Sequence, residues 1–173
     1  MTEKENFAST ANSSIDNTSM EEMENQKENY YLGHSHFVSN GKTTMTLDQL
    51  AELQPGMARL MVEISGRMSK CFYAGKHKNT PLARFQLSEA VKLLKMSSFV
   101  RPKYLSDMNL FLSNYIERLQ LSVAKENWVE FENIFAEIVT EVNRLHAKYN
   151  KEFLVWKIPT REPEDIDFTP LSK

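Results

Sequence analysis

Eight polar side chains at helical spacing form the candidate ligand-binding set of this chain: Glu63, Arg67, Gln86, Glu89, Arg101, Lys103, Asn143 and His146. Glu63 and Arg67 stand four residues apart, as do Arg59 and Glu63, while Gln86–Glu89 and Asn143–His146 stand three apart. Each pair can therefore line one face of a helix. Carboxylate, guanidinium, amide and imidazole groups gathered in this way suit a polar pocket for a small anionic or zwitterionic ligand. The plainer reading is structural. Lysines near helix C-termini complement the helix dipole, and a histidine beside an apolar stripe serves as hydrogen-bonded packing. A third reading makes His146 an acid–base group supported by Glu63 or Glu89, which requires direct or one-water hydrogen-bond reach.

Other chemistries lack their residues. His34-Ser35-His36 brings two imidazoles together without the four convergent ligands of a structural zinc site. Di-iron bundles need paired Glu-x-x-His motifs, and here the one comparable spacing is Asn143-x-x-His146. The single cysteine, Cys71, can form neither an internal disulfide nor the Cys-x-x-Cys-His of c-type haem attachment. Lying in an apolar stripe, it reads as an inert core thiol. A non-covalent haem on His146 and a methionine stays open, although methionines in stripes are core filler. No glycine-rich loop precedes a helix, so nucleotide motifs are missing. No catalytic residue, metal or cofactor is assigned.

The elements that must position these groups are four amphipathic segments between Thr46 and Tyr149. Thr46-Leu47-Asp48-Gln49 has capping-box spacing and opens a short helical turn that Pro55-Gly56 interrupts. The first long helix is expected from Pro55, with Met57, Leu60, Met61, Ile64, Met68, Cys71 and Phe72 on one face. Thr80-Pro81 restarts the chain as N-cap and first helical residue, and Leu82, Phe85, Ala90, Leu93 and Leu94 form the second stripe. Pro102 ends that helix and begins the third, expected to run unbroken from Tyr104 to Val123. Asn127 with Glu130 caps the fourth, whose stripe runs from Trp128 to Tyr149. Short connections favour antiparallel neighbours, hence an all-α, up-down-up-down four-helix bundle. Phe153-Leu154-Val155-Trp156 is expected as an extended C-terminal strap. Pro159, Pro163 and Pro170 keep the end non-helical. Lys78-Asn79-Thr80-Pro81 and Glu126-Asn127-Trp128-Val129 echo one another, through an old duplication or through common capping chemistry.

Residues 1–44 carry three Lys or Arg against seven Asp or Glu and few large apolar side chains, so 1–42 is expected to be a disordered acidic tail ended by Asn40-Gly41. The helical domain is assigned to 43–158 and a Pro-rich acidic C-terminal tail to 159–173. The body is mildly basic, which suits an anionic partner but falls short of the strongly basic face that nucleic acid requires. Met1-Thr2-Glu3-Lys4-Glu5 lacks the apolar core of a secretory signal, and no run approaches a membrane span. A cytoplasmic location follows as the expectation, with no membrane partner.

Leu53-Gln54-Pro55-Gly56-Met57-Ala58, Arg101-Pro102-Lys103-Tyr104 and Asn143-x-x-His146-x-x-Tyr149, followed by Trp156 and Asp165-x-Asp167-x-Thr169-Pro170, resemble a family of small uncharacterised bacterial all-helical proteins. The resemblance covers about residues 45–170 and carries no assigned activity. This chain has Asn79-Thr80 where that family would place Asn-Trp. The leading expectation is a non-enzymatic bundle that binds a small anionic ligand or a partner protein. The rivals are the His146 enzyme and a homo-oligomeric assembly module, a homodimer in its simplest form.

Overall fold

The computed structural model describes residues 36–170. Residues 1–35 of the acidic tail expected over 1–42, with His34, lie outside them. The chain divides into two units, one ending at Gln54 and one beginning at Pro55.

In the first unit, β1 (Phe37–Ser39) pairs antiparallel with β2 (Thr44–Thr46), in the register Phe37 to Thr46. Gly41 takes the turn position at φ +83, which glycine adopts without a Cβ clash. The Asn40 side chain accepts from the amides of Lys42 and Thr43. Helix α1 (Leu47–Glu52) follows at once. Its capping box is complete: Thr46 Oγ1 accepts from Gln49 N at 3.1 Å, and Gln49 Oε1 accepts from Thr46 N at 2.9 Å.

The second unit is helical up to Lys148. Helix α2 (Met57–Lys76) has Gly56 as its N-cap, so Pro55 stands just outside the helix and not at its first position. Helix α3 (Thr80–Val100) is capped by Asn79, whose Oδ1 accepts from Leu82 N at 3.2 Å, which makes Thr80 the first helical residue in place of the N-cap. The third segment departs from one continuous helix. It comprises a 3₁₀ turn (Pro102–Tyr104), α4 (Leu105–Phe111), a π-helical turn (Leu112–Ile116) and α5 (Glu117–Ala124). In the π turn the Glu117 amide reaches back five residues to Leu112 O. The fourth segment is α6 (Trp128–Lys148), capped by Asn127 Oδ1 on Glu130 N at 3.3 Å.

The echo seen in the sequence has a backbone counterpart. Lys78 and Glu126 both adopt positive φ, at 56° and 55°, immediately before the capping asparagines. Asn79 N donates to Ala74 O and Asn127 N to Ser122 O, while Lys78 N donates to Gly75 O and Glu126 N to Val123 O. Both helix ends are thus closed by the same left-handed cap, 48 residues apart in the numbering.

Leu60, Ile64, Met68, Cys71 and Phe72 from α2 meet Leu87, Ala90 and Leu94 from α3, Leu119 and Val123 from α5, and Phe131, Ile134, Phe135 and Ile138 from α6. Cross-element bonds tie the ends. Lys148 at the end of α6 reaches Asp107 in α4, Thr80 at the start of α3 donates to Glu126 before α6 at 2.8 Å, and Arg118 in α5 forks onto Glu137 in α6 at 2.6 and 3.3 Å. Beyond Lys148 the described residues form no helix or strand, and Phe153 lies in a turn that Leu154 N closes on Lys151 O at 2.8 Å. Farther along this stretch Phe168 is 1% exposed. No helix among the described residues is long and apolar enough to cross a membrane.

Candidate functional site

The start of α2, the start of α4, the end of α6 and the strap enclose a groove of about 850 Å³. Helix α2 contributes Met57, Ala58, Met61, Val62 and Ser65. Tyr104, Asp107 and Met108 come from the 3₁₀ turn and α4, and Leu145, His146 and Tyr149 from α6. The fourth wall is Lys151 and Phe153–Trp156. A volume of this size falls within the range of small-molecule sites, which are mostly apolar with a few placed polar groups. The apolar wall is open to solvent at its edge: Val62 is 75% and Phe153 71% exposed.

The strap reaches the groove because the chain reverses after α6. Asn150 takes φ 56, a conformation asparagine tolerates, and Lys151 N donates to His146 O at 2.8 Å. Asn143 then holds both backbone groups of Trp156: its Nδ2 donates to Trp156 O at 2.9 Å, and its Oδ1 accepts from Trp156 N at 2.7 Å. His146 Nδ1 lies 2.6 Å from Leu154 O. A carbonyl can only accept, so Nδ1 is the donor in this contact. The Trp156 indole meets this imidazole edge-on, with centroids 6.4 Å apart. Asn143 and His146 therefore act first as clamps on the strap.

The mouth of the groove is basic. Lys103 Nζ stands 4.9 Å from the Tyr104 ring centroid, Lys148 Nζ 5.7 Å from that of Tyr149, and Lys151 Nζ 5.6 Å from that of Phe153, and all three rings line the groove. One lining residue is acidic, Asp107, and it is already paired. Lys148 Nζ donates to its two oxygens at 2.8 and 2.7 Å, and the Tyr149 hydroxyl donates to Oδ2 at 2.5 Å. Among the described residues neither Lys103 nor Lys151 stands within 4.0 Å of a carboxylate oxygen. The first amides of α2, at Met57 and Ala58, have no side-chain cap and add the positive end of the helix dipole.

Hydrogen bonds from Lys148, then from Tyr149, hold the Asp107 carboxyl below its ordinary value, and the same bond to Asp107 raises the Tyr149 phenol. A depressed carboxylate contributes its full share of stability above its unfolded pKa and loses it as pH falls through the native value. Asp107→Asn should therefore lower the urea midpoint most at about pH 6, with the gap from wild type closing toward about pH 2. Urea melts at four pH values will check this, and a gap that stays constant or widens in acid contradicts it.

Of the eight candidate residues, His146 alone lines the groove. Glu63, Arg67 and Gln86 come together elsewhere, between α2 and α3. Arg67 donates to Gln86 Oε1 at 3.2 Å and to Glu63 Oε1 at 3.4 Å, and stands 5.9 Å from the Phe85 ring centroid. Gln86 is 3% exposed, so this bond satisfies a buried amide oxygen. Glu89 pairs with Lys92 at 2.6 Å. Arg101 donates to Val100 O at 2.9 Å, its own neighbour. Lys103 stands at the mouth and Asn143 behind the strap. Glu63 and Glu89 thus bond to Arg67 and Lys92, and His146 to Leu154. Cys71 is fully buried, which pushes its thiol up to about 12 and leaves it inert as a nucleophile. Among the described residues no three His, Cys, Asp or Glu side chains are grouped to hold a metal ion.

Met57, Met61, Met108 and Leu145 belong to the apolar stripes of the sequence; Met61, Met108 and Leu145 pack partly buried against the core, and all four also line the groove. Their spacing marks a helix face but not whether a neighbour covers it. Comparison with protein-family models, curated proteins and solved structures finds no match to this chain.

Proposed function

We propose that this protein is a non-enzymatic binding protein whose groove takes a small amphipathic molecule, apolar along its length and anionic at one end. The observation that carries this reading is the pairing of an apolar trough of about 850 Å³ with Lys103 and Lys151, which stand over groove-lining rings without an acidic partner among the described residues. Methionines at Met57, Met61 and Met108 suit a wall that must adapt to its ligand, since an unbranched thioether repacks easily. Tyr104, His146 and Tyr149 offer hydrogen-bonding tips on otherwise apolar rings.

The groove needs the start of the first long helix, the start of the third segment and the end of the fourth at one end of the domain. We read the four segments as an up-down-up-down bundle, which has that property. Its support lies in the Lys148–Asp107 bond joining those elements and in the Thr80–Glu126 bond joining the other two turns.

Thermal melts with decanoate, decanol and decylammonium test the reading. Decanoate should raise Tm by several degrees, decanol by less, and decylammonium least. Reversing both mouth charges, Lys103→Glu with Lys151→Glu, should weaken decanoate about tenfold and leave decanol unchanged. Equal shifts for the three compounds, or none, sink the proposal.

A further inference from the structure

Behind the groove lies a second cavity of about 80 Å³, bounded by side chains with no charged group among them. Its deep walls include Ile64, Phe111, Ile116, Ile138 and Val142. Four residues line both spaces: Met61, Met108, Leu145 and Trp156. They form the partition between groove and core. Two of the four are methionines, so the partition can open by rotamer changes without moving a backbone. A void lined in this way offers water no partners and is suited to hydrocarbon. It adjoins the π-helical turn, since Phe111 immediately precedes that turn and Ile116 ends it, and such turns recur where a helix is reshaped for function.

We infer that the ligand is a single-chain fatty carboxylate, with its head among Lys103 and Lys151 and its terminal methylenes passing Met61 and Met108 into the inner cavity. This rests on the groove reading and adds to it a chain-length selectivity set deep in the core. A branched or polar-ended tail has no place there, because none of the described lining residues carries a charge or an amide side chain to receive a polar end. Each added methylene that leaves water should strengthen binding about fourfold, until the inner cavity is full. Beyond that length the gain stops.

Titration of the full chain with saturated carboxylates from octanoate to palmitate, followed calorimetrically, reads that plateau. Val142 lines the inner cavity and not the groove, and it is only half-buried, so it can be changed in both directions. Val142→Phe should move the plateau to a shorter chain and Val142→Ala to a longer one. If Val142→Phe fails to fold, Val142→Ala alone decides the point. Carboxylates that bind with a plateau unmoved by either variant overturn the tail inference and leave the groove reading standing. No binding by any carboxylate overturns both.

Discussion

Phe168→Ala should lower the free energy of unfolding by about 4 kcal/mol, the largest effect of any single change in the strap. The ring is 1% exposed, inside a segment with no regular secondary structure. It tilts against Tyr73 and stacks on His77, with centroids 6.0 Å away in each case. Its backbone is held as well: Asn79 Nδ2 donates to Phe168 O at 3.1 Å, and Asp167 accepts from Thr169 N at 2.8 Å. The other strap anchors are the Tyr73 hydroxyl on Pro159 O, Lys70 with Asp165, and His77 with Glu162. The two ion pairs are at least partly exposed on both sides and worth little, so most of the docking energy belongs to the ring. Urea melts measure the loss, and limited proteolysis should show cleavage between Trp156 and Phe168 in the variant first. A loss under about 1 kcal/mol would mean the ring docks without holding the strap.

Gly75→Ala should cost about 2 kcal/mol although alanine is the better helix former. Helix propensity alone favours the substitution by about 1 kcal/mol. Sterics oppose it. A Cβ on Gly75 would fall 2.4 Å from Phe131 Cε1, 2.8 Å from Cζ and 2.9 Å from Cδ1. The Phe131 ring has nowhere to go: it is fully buried, with Trp128 at 5.8 Å, Phe135 at 6.0 Å and Phe72 at 6.5 Å between centroids. Overpacking of that kind costs about 1–3 kcal/mol or more, which outweighs the propensity term. Gly66 in the same helix supplies the control. Nothing lies within 4 Å of its added Cβ, so Gly66→Ala should stabilise by up to about 1 kcal/mol. Chemical melts of the two variants should move in opposite directions. Movement in the same direction would show that the contact with Phe131 is not what makes Gly75 necessary.

These two positions also mark where sequence reasoning stops. Gly75 sits in a helical pattern where any small residue fits the periodicity, and Phe168 sits among prolines and acids that read as a tail. Nothing within a few residues of either one signals a partner, because each partner is remote: Phe131 for Gly75, Tyr73 for Phe168. The π turn escaped for a related reason. The stripe Phe111, Leu112, Tyr115, Ile116 stays apolar through it, so one extra residue in the turn leaves no gap in the pattern. Among the candidate site residues, His146 lies in the groove wall and Lys103 stands over the groove-lining ring of Tyr104, while Arg67 and Gln86 satisfy one another away from it. Polar residues at matching spacing pair with whatever is nearest, and the nearest group need not belong to a ligand site.

The amino-acid sequence alone determined that the chain between Thr46 and Tyr149 is mostly helical and where its four long segments are parted. It also determined the capping box at Thr46 and the Asn127 cap before the fourth long segment. Those features rest on hydrogen bonds and periodicities spanning four residues or fewer, so the order of the residues contains them. Only the tertiary structure decided which apolar stripe residues are covered and which are left as the wall of a groove, and that Asn143 and His146 hold a returning strap. Burial is a property of two surfaces at once, and one stripe of sequence describes only one of them.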